Sequence, residues 1–285
     1  MRRKISGTTK VVGIMGWPVR HSLSPSLHGA WLDRYGIDGV YVPLPVLPDA
    51  LARALTALPA LGLAGVNLTV PHKVAAVPLM ASLSAEAERA GAVNTVVVGE
   101  DGALIGTNTD GFGFLASISE AVPSFSPAAG PATVIGAGGG ARAVVAALLD
   151  HGATDVRVVN RTRARAEALA AALGGPVQVV GWAERADALA DASLLVNTTT
   201  LGMKGQPPLE LDLTALPASA IVVDIVYVPL LTPLLAAAAA RGHIVVDGLG
   251  MLLHQARPSF KAWFGIDPEV TDDLRRAVAA GFADR

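Results

Sequence analysis

Short apolar runs alternate with helical spacings along most of the 285-residue chain. Val11 to Met15 is the first run and stops at Gly16-Trp17-Pro18, a strand followed by a turn. Leu27 to Tyr35 has helical spacing, with Gly36 placed as its stop. Val40 to Leu44 predicts a second strand, Ala50 to Leu58 a helix, and Gly65 to Val70 a third strand. Pro71 then suits the first position of a helix, where its missing N–H is harmless. Val93 to Val98 and Ala103 to Gly106, joined through Gly102, read as a hairpin. The first part of the chain is therefore mixed α/β.

Gly111 to Val122 is helix-like, and Pro123 to Pro131 is a linker rich in proline, serine and alanine. Beyond it, strands are expected at Thr133–Ile135, Val156–Val159, Val177–Val180, Leu194–Asn197, Ile221–Asp224 and Ile244–Val246, most of them separated by alanine-rich helices. Apolar strands alternating with helices imply a parallel sheet covered on both faces. After Gly250 the pattern is helical, with Leu252, Leu253, Ala256, Phe260, Trp263 and Phe264 on the buried faces. This tail is expected to return to the first domain. Two α/β domains result, one of residues 1–112 plus 249–285 and a Rossmann-type doubly wound domain of residues 113–248. Ligands favour domain interfaces, so chemistry is expected in the cleft between them.

The turn from Gly136 to Gly140 fixes the chemistry of the second domain. Gly136 allows a tight turn, Gly138 lets the backbone approach a pyrophosphate, and small Ala141 lets helix and strand pack closely. The helix start offers free N–H groups to the anion, flanked by Ala137, Gly139 and Gly140. At the end of the Val156–Val159 strand, where an NAD site carries a carboxylate, stands Asn160, followed by Arg161, Thr162, Arg163 and Arg165. Forked guanidiniums suit a 2′-phosphate, so NADP(H) is expected over NAD. As an alternative, these arginines would form only a solvated helix face.

Composition removes several other classes. Net charge is −2, which gives no global attraction for nucleic acid, and Arg2-Arg3-Lys4 is too short for a binding arm. The apolar run that follows is broken by Gly13, Gly16 and Pro18, so no signal peptide is expected. The stretch near Leu230 to Ala240 is interrupted by Pro233 and too short for a membrane span. There are no cysteines, hence no disulfides or thiolate chemistry. The six histidines form no helical metal pair and no metal is expected. No G-x-S-x-G elbow surrounds Ser22 or Ser24. A cytoplasmic protein with a small-molecule substrate follows, with no membrane or nucleic-acid partner.

Four polar clusters sit at strand ends or turns of the first domain: His21 to Pro25, Asn67 to Lys73, Gly91 to Thr95, and Gly106 to Gly111. Their hydroxyls, carboxamides, lysine and carboxylate suit a small polyhydroxylated, anionic ligand. With Pro71 opening a helix, Lys73 lies in its first turn, where a cation is unfavourable. Such a violation of a local rule marks a functional site, and Asp110 is the natural partner for the amine. On the alternative reading, Lys73 is a surface residue and Asp110 a turn or N-cap.

In order, these segments together resemble the shikimate dehydrogenase family over nearly the whole chain. The resemblance rests on Ser22–Pro25, Asn67–Lys73, Gly91–Thr95, Asn108-Thr109-Asp110, the glycine turn, Asn160-Arg161-Thr162, Asn197-Thr198-Thr199, Asp224–Tyr227 and Asp247–Ala256. It implies NADPH-dependent reduction of 3-dehydroshikimate to shikimate by a monomer or homodimer. It also implies that Lys73 and Asp110 are catalytic, and that Ser22, Ser24, Asn67, Thr69, Asn94, Tyr227 and Gln255 bind substrate. The glycine turn with Ala137 and Ala141, together with Asn160, Arg161, Thr162, Arg165, Thr198, Gly248 and Met251, would hold the cofactor. A quinate dehydrogenase using NAD would carry an acidic residue near Asn160, and there is none. An aminoshikimate dehydrogenase and a non-catalytic NADP sensor are the other readings.

Overall fold

The computed structural model describes residues 5–281, so Arg2-Arg3-Lys4 and the last four residues of the expected tail lie outside the described residues. The chain divides into two compact units. One holds the described residues up to Thr109 together with those from Gln255 onward, and the other runs from Asp110 to His254.

The first unit begins with β1 (Lys10–Gly16), α1 (Ser24–Arg34), β2 (Gly39–Pro45), α2 (Leu51–Thr56) and β3 (Leu63–Leu68). It continues with α3 (His72–Ala75), β4 (Ser82–Leu83), α4 (Ala85–Ala90), β5 (Thr95–Val98) and β6 (Leu104–Thr107). Its six strands lie in the order β2-β1-β3-β5-β6-β4. β1 pairs in parallel with β2 and β3, while β5 runs antiparallel to both β3 and β6. Met15, Val66, Leu68, Val93 and Val96 pack with Leu51, Leu55 and Leu58 in one core. The hairpin forms as its apolar alternation predicts, with Gly102 at φ 82° in the turn.

One local expectation fails. Pro71 does not open a helix as its first residue. It stands just before α3, at the cap position, with φ −99° and ψ 15°. α3 is one turn of four residues. Its first and last turns coincide, so a macrodipole argument for Lys73 has no basis.

The second unit holds α5 (Asp110–Ala121), β7 (Ala132–Ile135), α6 (Gly139–Asp150), β8 (Val156–Val159), α7 (Arg163–Leu173) and β9 (Val177–Val180). After these come β10 (Leu194–Asn197), β11 (Ile221–Asp224), α8 (Pro233–Ala240) and β12 (Ile244–Val246). α9 (Gly248–Phe264) starts in this unit and ends in the other, where α10 (Asp272–Ala280) follows. The sheet is parallel throughout, in the order β12-β11-β10-β7-β8-β9. This is the Rossmann order, and the chain reverses direction across the sheet between β7 and β10.

Alternate residues of these strands enter two separate cores. Val134, Val158, Val196 and Val223 join one with Phe114 and Val144. Ile135, Val159, Leu195 and Val222 join the other with Leu189 and Leu234. The central strands β7, β10 and β11 are buried at every position and read as near-continuous apolar runs, while β8, β9 and β12 are only partly buried.

Candidate active site

In the second unit the expected nucleotide residues gather at the carboxyl ends of the parallel strands, where open α/β sheets bind ligands. β7 leads directly into Gly136, whose φ is +119°. A Cβ there would stand 2.4 Å from Thr198 Oγ1. That hydroxyl cannot swing away without loss, because it donates to the Ile135 carbonyl at 2.7 Å. Gly136→Ala is therefore expected to cost about 1–3 kcal/mol through strain and overpacking. Thermal unfolding of the variant checks this, and an unchanged midpoint would contradict it.

Gly138 caps α6 and has open space where a side chain would project. No side chain caps this helix. The first amide donors of α6 are thus left for an anion, with Gly139, Gly140 and buried Ala141 in the first turn. Ala137 is half-buried in the turn itself. The donor set and the space beside Gly138 fit a pyrophosphate.

Past β8, the Asn160 amide donates to the Thr162 carbonyl at 2.8 Å, and Thr162 caps α7. Arg161 and Arg165 are exposed beside them. Arg163 differs from its neighbours, since its Nε pairs with Glu167 one turn along at 2.8 Å. Gly248 opens α9, buried, with its N–H toward the Val226 carbonyl at 3.3 Å. Tyr227 is half-buried beyond β11. Met251 belongs to the apolar core with Phe114 and Val246. Beneath this edge, Asp224 is buried and accepts from Asn197 Nδ2 at 3.0 Å, the Val226 N–H at 3.0 Å and Thr232 Oγ1 at 2.7 Å. Burial pushes its carboxyl up to about 6 against the pull of those three bonds. Asp110 is buried at the first residue of α5, where a helix start favours an anion.

In the first unit, Ser22 and Ser24 are buried at the start of α1, and the Ser24 N–H donates to Ser22 Oγ at 3.3 Å. Thr69 follows β3, half-buried, with its N–H bonded to the Met15 carbonyl at 2.9 Å. Lys73 is half-buried on α3, and its carbonyl accepts from the Val93 N–H at 2.8 Å. That bond sets Lys73 beside the segment that leads through Asn94 into β5. The neighbouring His72 ring contacts the Val46 carbonyl at 2.8 Å and anchors the turn.

Asn94 and Gln255 meet directly, with Asn94 Nδ2 3.4 Å from Gln255 Oε1. Asn67 is built inward instead. Its Oδ1 accepts from the Tyr41 hydroxyl at 2.7 Å, and its amide lies 2.9 Å from Thr95 Oγ1, 3.1 Å from the Asn94 carbonyl and 3.2 Å from Ser259 Oγ. Both amide hydrogens are committed to protein acceptors. Asn67, expected to contact a ligand hydroxyl, thus also ties β2, β5 and α9 together.

Tyr41 and Ser259 did not emerge from the sequence as site residues. Tyr41 lies on an apolar strand and reads as core. A signal existed for Ser259, which stands four residues after Gln255 on α9 and so shares its helix face.

Three family models match the chain: the shikimate dehydrogenase substrate-binding domain over residues 14–96, shikimate/quinate 5-dehydrogenase over residues 122–203, and the shikimate 5′-dehydrogenase C-terminal domain over residues 248–278. The NADP(+)-type shikimate dehydrogenase of Paramagnetospirillum magneticum is 58% identical over 96% of this chain and 99% of its own. A shikimate 5-dehydrogenase of Thermus thermophilus, solved with NADP(H) and shikimate, is 38% identical with a TM-score of 0.84, covering 95% of this chain and 99% of that one. A quinate dehydrogenase of Corynebacterium glutamicum, solved with NAD, is 33% identical with a TM-score of 0.87, covering 95% and 99%. Relatives of both substrate types share the fold, so the fold leaves substrate and cofactor to the side chains. By its sequence and fold together, this chain belongs to the shikimate dehydrogenase family.

Proposed function

We propose that this chain catalyses the reversible NADPH-dependent reduction of 3-dehydroshikimate to shikimate, in the shikimate pathway of aromatic amino acid biosynthesis. We place it in the cytoplasm, acting as a monomer or homodimer. Among the described residues no helix is long and apolar enough to cross a membrane. The observation that carries this reading is a pairing within one chain. The turn that bears Lys73 is bonded to Val93, next to Asn94, in a unit that also buries Ser22, Ser24 and Asn67. An uncapped glycine turn with exposed arginines and no carboxylate after β8 suits a phosphorylated dinucleotide.

Residues 1–112 and 249–285 form the substrate-binding and catalytic domain in this proposal, and residues 113–248 the NADP domain. The substrate carboxylate is met by Ser22, Ser24 and Tyr227. Thr69, Asn94, Asp110 and Gln255 meet the ring hydroxyls, with Asn67 behind them. NADPH, when bound, supplies the hydride that the carbonyl carbon receives. Lys73 gives a proton to the carbonyl oxygen in reduction and takes it back in oxidation, and Asp110 orients the amine. The glycine turn and Ala141 hold the pyrophosphate. Asn160, Arg161, Thr162 and Arg165 hold the 2′-phosphate end, while Thr198, Gly248 and Met251 border the rest of the cofactor.

Isotope transfer tests the reaction. NADPH deuterated at the nicotinamide C4 on the transferred face is expected to leave deuterium on the carbon that bore the carbonyl. Deuterium lost to water would contradict direct hydride transfer.

The cofactor preference is tested by separate arginine variants. Arg161→Ala is expected to weaken NADPH binding by about 1.5–3 kcal/mol, the usual range for charged hydrogen bonds, with little effect on NADH. Arg163→Ala should change NADPH binding little, because its guanidinium is held by Glu167 at 2.8 Å. Equal losses for both cofactors on Arg161→Ala would remove the 2′-phosphate role.

A further inference from the structure

A continuous buried set of hydrogen bonds runs from β2 to α9 within the first unit. Two backbone groups fix its direction. The Asn94 carbonyl can only accept, so the group it faces at 3.1 Å on Asn67 is the amide Nδ2, which leaves Asn67 Oδ1 to accept from Tyr41 at 2.7 Å. At the other end, the Thr109 N–H can only donate, so the atom it faces at 2.9 Å on Asn94 is Oδ1.

Between these ends the hydroxyl protons have one consistent arrangement. Thr95 Oγ1 lies 3.0 Å from Asn94 Oδ1, a pure acceptor, so the single Thr95 proton goes there. Ser259 Oγ is 2.6 Å from Thr95 Oγ1 and must then be the donor in that contact. Asn67 Nδ2 gives its remaining hydrogen to the same Thr95 oxygen at 2.9 Å. Asn94 Oδ1 is thereby taken up by Thr95 and Thr109. Its Nδ2 edge is left toward Thr109 Oγ1 at 2.9 Å and Gln255 Oε1 at 3.4 Å. Thr109 Oγ1 passes its own proton to the Gln255 carbonyl at 2.8 Å.

A carboxamide can turn over by half a rotation with almost no change of shape, so packing alone does not choose its donor side. Here the Thr109 N–H chooses it for Asn94, and the Thr95 hydroxyl holds the same Oδ1 in place. Thr95 is fully buried, as is Ser259, and neither reaches solvent.

We infer that Thr95 and Ser259, backed by Asn67, are positioning residues that lock Asn94 with its N–H edge toward Gln255 and the ligand hydroxyls. This rests on the proposed reading of Asn94 and Gln255 as substrate contacts. A donor edge held in place meets an oxygen lone pair of the ligand, whether hydroxyl or carbonyl.

The test separates the hydroxyl from the packing. Thr95→Val keeps the branched shape and loses the hydroxyl, and Thr95→Ser keeps the hydroxyl and loses a buried methyl. Thr95→Val is expected to lower kcat/KM for shikimate about 10- to 100-fold, chiefly through KM, with KM for NADP unchanged. Thr95→Ser is expected to stay within about threefold of the parent in kcat/KM while its melting temperature falls, as a lost buried methyl requires. Should Thr95→Val fail to fold, Ser259→Ala carries the same test, with a loss in the same direction and its melting temperature recorded beside it. Activity that follows melting temperature across the set, or a Val variant with parental KM, would overturn the positioning role. An inactive parent with shikimate and NADP would instead overturn the proposed function.

Discussion

Lys73→Ala is expected to lower kcat by about 10²–10⁴-fold, the usual worth of general acid–base catalysis, with KM for shikimate changed little. The expectation rests on where the chain places the amine. α3 is a single turn, tied down through the Lys73 carbonyl to Val93 and through the His72 ring to Val46. The side chain therefore leaves a fixed backbone next to Asn94. Alanine removes the proton donor while leaving those backbone bonds in place, so the fold should survive and NADPH binding should be unaltered. Lys73→Arg should not rescue the rate, because a guanidinium stays protonated and carries its donors in a planar fork. Steady-state kinetics with both variants decide the matter. Turnover of Lys73→Ala within a few-fold of the parent would remove the lysine from the chemistry.

His28→Leu is expected to gain stability relative to the parent as the solution is acidified, by about 3 kcal/mol between pH 7 and pH 4. The His28 imidazole is fully buried, stacked on Tyr41 at 4.1 Å between centroids and ringed by Trp31, Phe260 and Trp263. Neither ring nitrogen has a hydrogen-bond partner. Burial pushes it down to about 3 from its ordinary 6.5. Above 6.5 the ring is neutral in both states and its full stabilising contribution is present. As pH falls below 6.5 the unfolded chain binds a proton that the folded chain refuses until about 3, so stability drains away through that window.

Asp224 acts with the opposite sign. Its folded carboxyl is raised from 3.8 to about 6, so its contribution is present below 3.8 and lost as pH rises through 6. Between 3.8 and about 6 the two groups cancel, one proton against the other, and the parent should be flat there with respect to both. Leucine at position 28 removes one side of that balance and leaves the slope of Asp224 visible. Denaturant unfolding at several pH values measures the difference. Parallel profiles for parent and variant would show that His28 takes up its proton without resistance.

How much of this was legible in advance varies with the physics of each element. The strands of the second unit could be read nearly residue for residue, because the central β7, β10 and β11 are buried at every position and the outer β8, β9 and β12 are short β-branched runs between turns. The glycine turn was legible for a different reason, since a backbone at φ +119° with no room for a Cβ admits only one residue type. β4 and α4 escaped notice: two residues carry no periodicity, and a six-residue helix barely completes its pattern. Pro71 misled because proline suits both the first helical position and the cap before it.

Ser22, Ser24, Lys73, Asn94 and Asp110 stood out as polar residues at turns. The buried network did not, because it joins residues 41, 67, 95 and 259 through a sheet and a helix that no local pattern connects. Met251 lies in the core, as its side chain would suggest without any family resemblance.

Initial rates of the purified protein with shikimate and with quinate, each offered NADP+ and NAD+ and followed by absorbance of the reduced nicotinamide, test the central claim most directly. Shikimate with NADP+ is predicted to give by far the highest kcat/KM of the four. Preference for quinate with NAD+, or no reduction of either cofactor, would contradict it.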